Sequence, residues 1–123
     1  MTALLVVAGA VVGAPLRYLT DLLVQSRHDT VFPWGTLTVN AAGSLILGIV
    51  AGAVSGGAPV WLLTMVGTGF CGALTTFSTF GFETLRLVEE GSVLEAFLNA
   101  AVSLLVGFVA CAGGWVLAAG LVR

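Results

Sequence analysis

The sequence predicts an all-α membrane protein with four transmembrane helices, the third of them broken. Three observations lead there. Of 123 residues, 59% are hydrophobic and only 8% are charged, where soluble domains carry about a quarter charged residues. Charges and turn formers divide the chain into four apolar segments. One segment is interrupted by glycines and a run of hydroxyl residues. The mean hydropathy is +1.13. A helix crosses a bilayer with about 20 mostly apolar residues, so four crossings use about two thirds of the length and leave no room for a soluble domain. Residues 1–123 are therefore read as one four-helix unit, multi-pass in the cell membrane.

The first span is expected from about Ala3 to Val24, ending at Gln25-Ser26-Arg27-His28-Asp29. Gly9, Gly13, Arg17 and Asp21 follow one another every four residues. An arginine near a span end can snorkel to the interface, can pair with Asp21, or can help form an electropositive vestibule that concentrates an anion. Leu4 to Ala14 imitates the apolar core of a signal peptide. No basic residue precedes it, and Arg17 falls inside the segment, so a cleaved signal is not expected.

The second span is expected from about Gly35 to Val54, between Phe32-Pro33-Trp34 and Ser55-Gly56-Gly57-Ala58-Pro59. Thr36, Asn40, Ser44, Gly48, Gly52 and Gly56 recur every four residues. Neighbours in such a series occupy adjacent turns of one slowly drifting face, and small residues there let helix backbones approach closely. Packing accounts for the glycines and Ser44. Asn40 differs, because its amide supplies two donors and an intramembrane amide faces protein or water.

The third span starts near Val60 and ends around Val88-Glu89-Glu90-Gly91. Within it stands Gly72-Ala-Leu-Thr-Thr-Phe-Ser-Thr-Phe80, with four hydroxyls and two phenylalanines in the six residues from Thr75 to Phe80. Gly67, Gly69 and Gly72 precede this run, and each glycine weakens a helix by roughly 1 kcal/mol relative to Ala. A broken, polar stretch at membrane depth is tolerated only where protein or a water-filled cavity surrounds it. If the helix resumes at about Thr76, Phe77 and Phe80 share a face, with Ser78 and Thr79 beside them. Phenyl rings are positive at their edges and can help solvate an anion without a fixed charge to trap it. The fourth span is expected from about Val93 to Leu121, with Asn99, Ser103 and Gly107 every four residues.

Several classes are set aside. The lone histidine, His28, lies in a polar loop without a Cys or carboxylate cluster, and no phosphate-binding glycine loop follows a strand, so the chain is not read as an enzyme. Cys71 and Cys111 lie within spans and read as small core hydrophobes. A net charge of −2 with scattered arginines excludes a nucleic-acid surface. The arginines also bear on topology. Arg123 lies on one side of a four-span chain, Arg27 and Arg86 on the other, and there is no lysine. Orientation follows an excess of Lys and Arg on cytoplasmic loops, and one against two is almost no bias. The chain can then insert both ways round, which permits an antiparallel, dual-topology homodimer.

The stretches Gly9-Ala-Val-Val-Gly13-Ala-Pro-Leu-Arg17-Tyr18, Gly35-Thr-Leu-Thr-Val-Asn40-Ala-Ala-Gly43-Ser44 and Gly72 to Phe80, in this order and spacing, closely resemble the Fluc (CrcB) fluoride channel family. The resemblance implies a dual-topology homodimer of four-helix channel subunits in lipid, with two antiparallel fluoride pores that let cytoplasmic fluoride leave passively. It implies that Asn40 donates to fluoride, that Phe77 and Phe80 turn ring edges into the pores, and that Thr76, Ser78 and Thr79 add polar lining, with Ser103 on the fourth-span track. It implies a structural Na+ at the dimer interface, bound by the backbone carbonyls of Gly72 and Thr75 from both subunits, and a vestibule containing Arg17. Glu83 matches an acid of the family. Asn99 and Gly107 depart from it, standing where some relatives carry hydroxyls.

Two other classes compete. A small proton-coupled multidrug-type exporter also has four short spans and an inverted dimer, but needs an acid deep in its first helix. Met1 to Leu16 contains none. A non-transporting membrane assembly protein would use the small-residue stripes only for packing, and leaves the broken Thr75–Phe80 segment without a role.

Overall fold

Four stretches in the computed structural model are long and apolar enough to cross a membrane: Thr2–Ser26, Trp34–Ser55, Val60–Glu89 and Val93–Gly120. The structure describes residues 1–27, 32–75 and 77–122, and the side chains of Ser78, Leu121 and Val122 lie outside that description. Thr76, named above as pore lining, and His28 and Arg123, used in the charge argument, also lie outside the described residues.

The first two spans are continuous helices, α1 (Thr2–Ser26) and α2 (Trp34–Ser55). The third is composite. A single turn, α3 (Val60–Leu62), widens into a π-helical stretch, Leu63–Cys71, and a further turn, α4 (Gly72–Leu74), follows. The N–H of Gly72 reaches the carbonyl of Gly67, five residues back, which is the wide π pattern. Thr75 is extended (φ −81°, ψ 160°), and α5 runs Phe77–Glu89. The fourth span is α6 (Val93–Val122). Its start after the third span is set by Gly91 at φ 85°, where Ser92 N–H bonds to Leu87 O (2.8 Å) and Gly91 N–H to Val88 O (3.1 Å). That left-handed glycine closes the helix by satisfying carbonyls that would otherwise be orphaned. Gly57, at φ 113°, ends α2 in the same way.

Helix backbones meet directly along two seams. On the first, α1 lies against the π-helical stretch. A Cβ added to Gly9 would collide with the carbonyl of Met65 and the amide of Phe70, and one on Gly13 with the carbonyl of Phe70. From the other side, a Cβ on Gly69 would come within 2.5 Å of Val6 O. The second seam joins α2 to α6. Gly48 faces the backbone of Cys111, Gly52 would place a Cβ 2.7 Å from Trp115 O, and Gly114 of α6 would place one 2.5 Å from Leu45 O. Without a hydrophobic force between helices in lipid, such close backbone approach supplies the dispersion contact that holds them. Because the opposing atoms are backbone, no rotamer change could make room for a side chain.

Few side chains are fully buried, chiefly Val39, Leu87 and Asn99, while most large apolar ones, among them Leu4, Leu104 and Val116, are exposed. This distribution suits a lipid solvent. Among the described residues the salt bridge is Arg86–Glu90 (3.5 Å), on the surface. Arg17 and Asp21 do not form one; Asp21 instead packs against Gly35.

Candidate functional site

A cavity of about 420 Å³ opens between α2, the middle of the third span and α6. From α2 it takes Asn40, Gly43, Ser44 and Leu47, a spacing of three and four that sets all of them on one helix face. The third span contributes Gly67, Cys71, Gly72, Thr75, Phe77 and Phe80, and α6 contributes Ser103, Leu104, Gly107 and Phe108. None of these lining residues carries a charge.

The segment around Thr75 shapes the wall. Thr75 donates both its backbone N–H (2.9 Å) and its hydroxyl (2.7 Å) to the carbonyl of Cys71. Its side chain is thus turned back on its own helix, with its methyl against Gly43, where any Cβ would collide with it. Immediately beyond, Phe77 and Phe80 stand with ring centroids 6.0 Å apart and planes tilted by 44°. Such tilted pairs set a positive edge toward a neighbouring face. Phe77 is 84% exposed and Phe80 half-buried. Both line the cavity instead of disappearing into a core.

Two polar links hold α5 against its neighbours. The hydroxyl of Thr36 on α2 donates to the carboxylate of Glu83. On the other flank the buried amide of Asn99 donates through Nδ2 to Thr84 Oγ1 (2.8 Å), and Thr84 in turn donates to the carbonyl of Phe80 (2.8 Å). Ser103 Oγ donates to Asn99 Oδ1 (3.3 Å), not to a backbone carbonyl of its own helix.

Of the residues singled out in the sequence, the structure brings Asn40, Phe77, Phe80 and Ser103 to one cavity, together with Gly72 and Thr75. Thr79 is exposed and does not line it, and half-buried Arg17 on α1 does not line it either. Sequence reasoning gave Ser44 to packing, and it missed Leu104 and Phe108 in the wall and Thr84 behind it. Phe108 carries no polar signal; only its position beside Gly107, one turn past Ser103, could have marked it. No group of three or more His, Cys, Asp or Glu that could hold a metal occurs among the described residues.

Membrane-length helices around a neutral cleft of amide, hydroxyl and phenyl groups define a multi-pass membrane protein with a candidate site for a small polar solute. A family profile described as "CrcB-like protein, Camphor Resistance (CrcB)" matches residues 4–115. The chain belongs to that family. It is 60% identical to a protein of Frankia casuarinae named "Fluoride-specific ion channel FluC 1", over 96% of both chains. It is 56% identical to a protein of the same name from Streptomyces avermitilis, over 94% of both. A "Fluoride-specific ion channel FluC" of Shewanella woodyi is 45% identical over 82% of each. These relatives are named as channels and not as enzymes.

Proposed function

We propose that the chain is the subunit of a fluoride-selective channel giving passive export of cytoplasmic fluoride. The observation that carries this reading is the convergence of Asn40, Phe77, Phe80 and Ser103, from three separate spans, on one uncharged cavity. Its chemistry suits a small, strongly hydrated anion. Conduction needs binding favourable enough to enter and weak enough to leave. A neutral amide donor and ring edges meet both demands, where a buried arginine would hold the ion. Hydrogen fluoride enters cells uncharged and releases fluoride near neutral pH, so an anion-selective exit driven by membrane potential lowers its internal concentration. The family relationship favours neither the multidrug-type exporter nor the assembly protein.

The channel is an antiparallel, dual-topology homodimer in this reading. Its support is the near absence of charge bias and a cavity bounded by residues as exposed as Phe77 and Phe108. Thr75 breaks the helix by its extended backbone, and a side chain on Gly72 would meet nothing within 4 Å. An interrupted third span of this kind leaves carbonyl oxygens available beside open space, a donor set that fits a hard cation. The carbonyls of Gly72 and Thr75 would hold Na+ there, and bound Na+ would supply positive charge that fixes two copies together. Replacing Na+ by a bulky organic cation should then weaken the dimer on size exclusion without changing fluoride-over-chloride selectivity.

The deciding experiment is fluoride efflux from liposomes containing the purified protein, with chloride run alongside. Fluoride release without chloride release is expected. No fluoride release, or equal release of both, would overturn the channel reading.

A further inference from the structure

We propose that Asn99 is a positioning residue of the permeation site, storing the Ser103 proton and tying the Phe80 wall to the Ser103 wall. The inference rests on the channel reading above. Asn99 is 0% exposed and does not line the cavity, so it cannot touch a passing ion. It nevertheless joins two residues that do line it. A single hydrogen-bonded series runs from the Phe80 carbonyl through the Thr84 hydroxyl and the Asn99 amide to the Ser103 hydroxyl.

The direction of each bond carries the proposal. Thr84 gives its only proton to Phe80 O and receives one from Asn99 Nδ2. A hydroxyl used in that way fixes which end of the amide faces α5, because only the NH2 end can donate. The carbonyl end of Asn99 must then face Ser103, which donates to it. Ser103 has one proton, and while Asn99 Oδ1 holds it, the serine presents lone pairs to the cavity. An anion entering the cavity needs that proton. At 3.3 Å the Ser103–Asn99 bond is long beside the ordinary hydroxyl–oxygen distance of about 2.7–2.8 Å, and its acceptor is uncharged. Ser103 can therefore turn its proton to the ion and give it back when the ion leaves. A carboxylate at this position would hold the proton in a stronger, charge-assisted bond and lose the donor to Thr84. An apolar residue would leave the Ser103 hydroxyl to choose another acceptor and would uncouple the Phe80 turn from α6.

A double-mutant cycle in liposomes tests this. Fluoride flux per folded protein is measured for the unmodified chain, Asn99→Leu, Ser103→Ala and the double variant. We expect Asn99→Leu to reduce flux about tenfold, the scale of one lost hydrogen bond, and to cause a clearly smaller further loss once Ser103 is alanine, where only the tie to Thr84 remains to be broken. Asn99→Asp should lower flux further than Asn99→Leu. A purely structural amide would give equal losses on both backgrounds, together with lower folded yield, and that result overturns the inference alone. Should Asn99→Leu not fold, the same cycle with Thr84→Val and Ser103→Ala applies: coupled losses support the series, and independent losses overturn it. Absence of flux in the unmodified chain overturns the channel reading and this inference with it.

Discussion

Replacing Phe77 by isoleucine separates a pore wall from a packing residue. Complete burial of a phenylalanine is worth up to about 3 kcal/mol. With 84% of Phe77 exposed, the covered sixth is worth at most about 0.5 kcal/mol even on that water-transfer scale, and less where lipid is the solvent. The tilted contact with Phe80 adds about 0.5–1.5 kcal/mol. Losing both costs roughly 2 kcal/mol at most, against a folding margin of about 5–15 kcal/mol, so the fraction folded hardly changes. Isoleucine keeps much of the apolar volume but has no positive ring edge. If that edge helps to solvate fluoride in transit, flux per folded protein should fall at least about tenfold, a barrier increase of ~1.4 kcal/mol. The assay pairs a fluoride-electrode efflux trace with the folded yield from size exclusion on the same preparation. Phe80→Ile should show the same separation, with a larger stability cost because Phe80 is half-buried. Methionine at either position should be milder, since its polarizable side chain adapts. Falling yield with unchanged flux per folded protein would refute the pore-wall reasoning and return both rings to packing.

The Gly48→Ala variant should lose about 1–3 kcal/mol through forced separation of the second and fourth helices, read as a lower melting temperature in detergent. Gly113→Ala, where an added Cβ meets nothing within 4 Å, should be neutral or slightly stabilising by the same measurement. Asn40→Asp should fold yet conduct little fluoride, because it replaces a donor with like charge; Asn40→Ala should be less severe, with both checked by liposome efflux. Two or three lysines added after Arg123 should bias insertion to one orientation, scored by tag accessibility, and should lower efflux if opposed copies are required.

Much of the architecture was legible in the residues. The four spans begin and end within about two residues of where charges and turn formers place them, because lipid penalises each charge and unpaired backbone group strongly enough to mark the ends. Asn40, Phe77 and Phe80 were legible as site candidates because amide and ring are conspicuous against leucine and valine, whereas Ser103 was marked only by the family resemblance. Cross-helix partnerships were not. Thr84 reads as an ordinary helical hydroxyl, and nothing local says that Asn99 reaches it. Knowing that requires the rotation of α5 against α6, and segments apolar on all sides give little periodic signal to fix it. The same gap hid the pairing of Thr36 with Glu83. The π-helical stretch was equally hidden: Gly67, Gly69 and Gly72 signal weak helix preference but not which wider turn replaces it.

The two glycine seams and the segment beyond them divide the chain for anyone wishing to redesign it. Where backbone rests on backbone, along α1 with the π-helical stretch and along α2 with α6, almost any larger residue pushes helices apart. α5 is fastened differently. Its Gly81 has open space beside it, and the side chains of Thr36, Glu83, Thr84 and Asn99 link it to its neighbours. Anchors made of side chains can be exchanged one at a time. A library confined to those four positions would re-aim the phenylalanine-bearing turn over small angles while leaving the rest of the bundle in place, and so offers a route to altered ion preference that core substitutions do not.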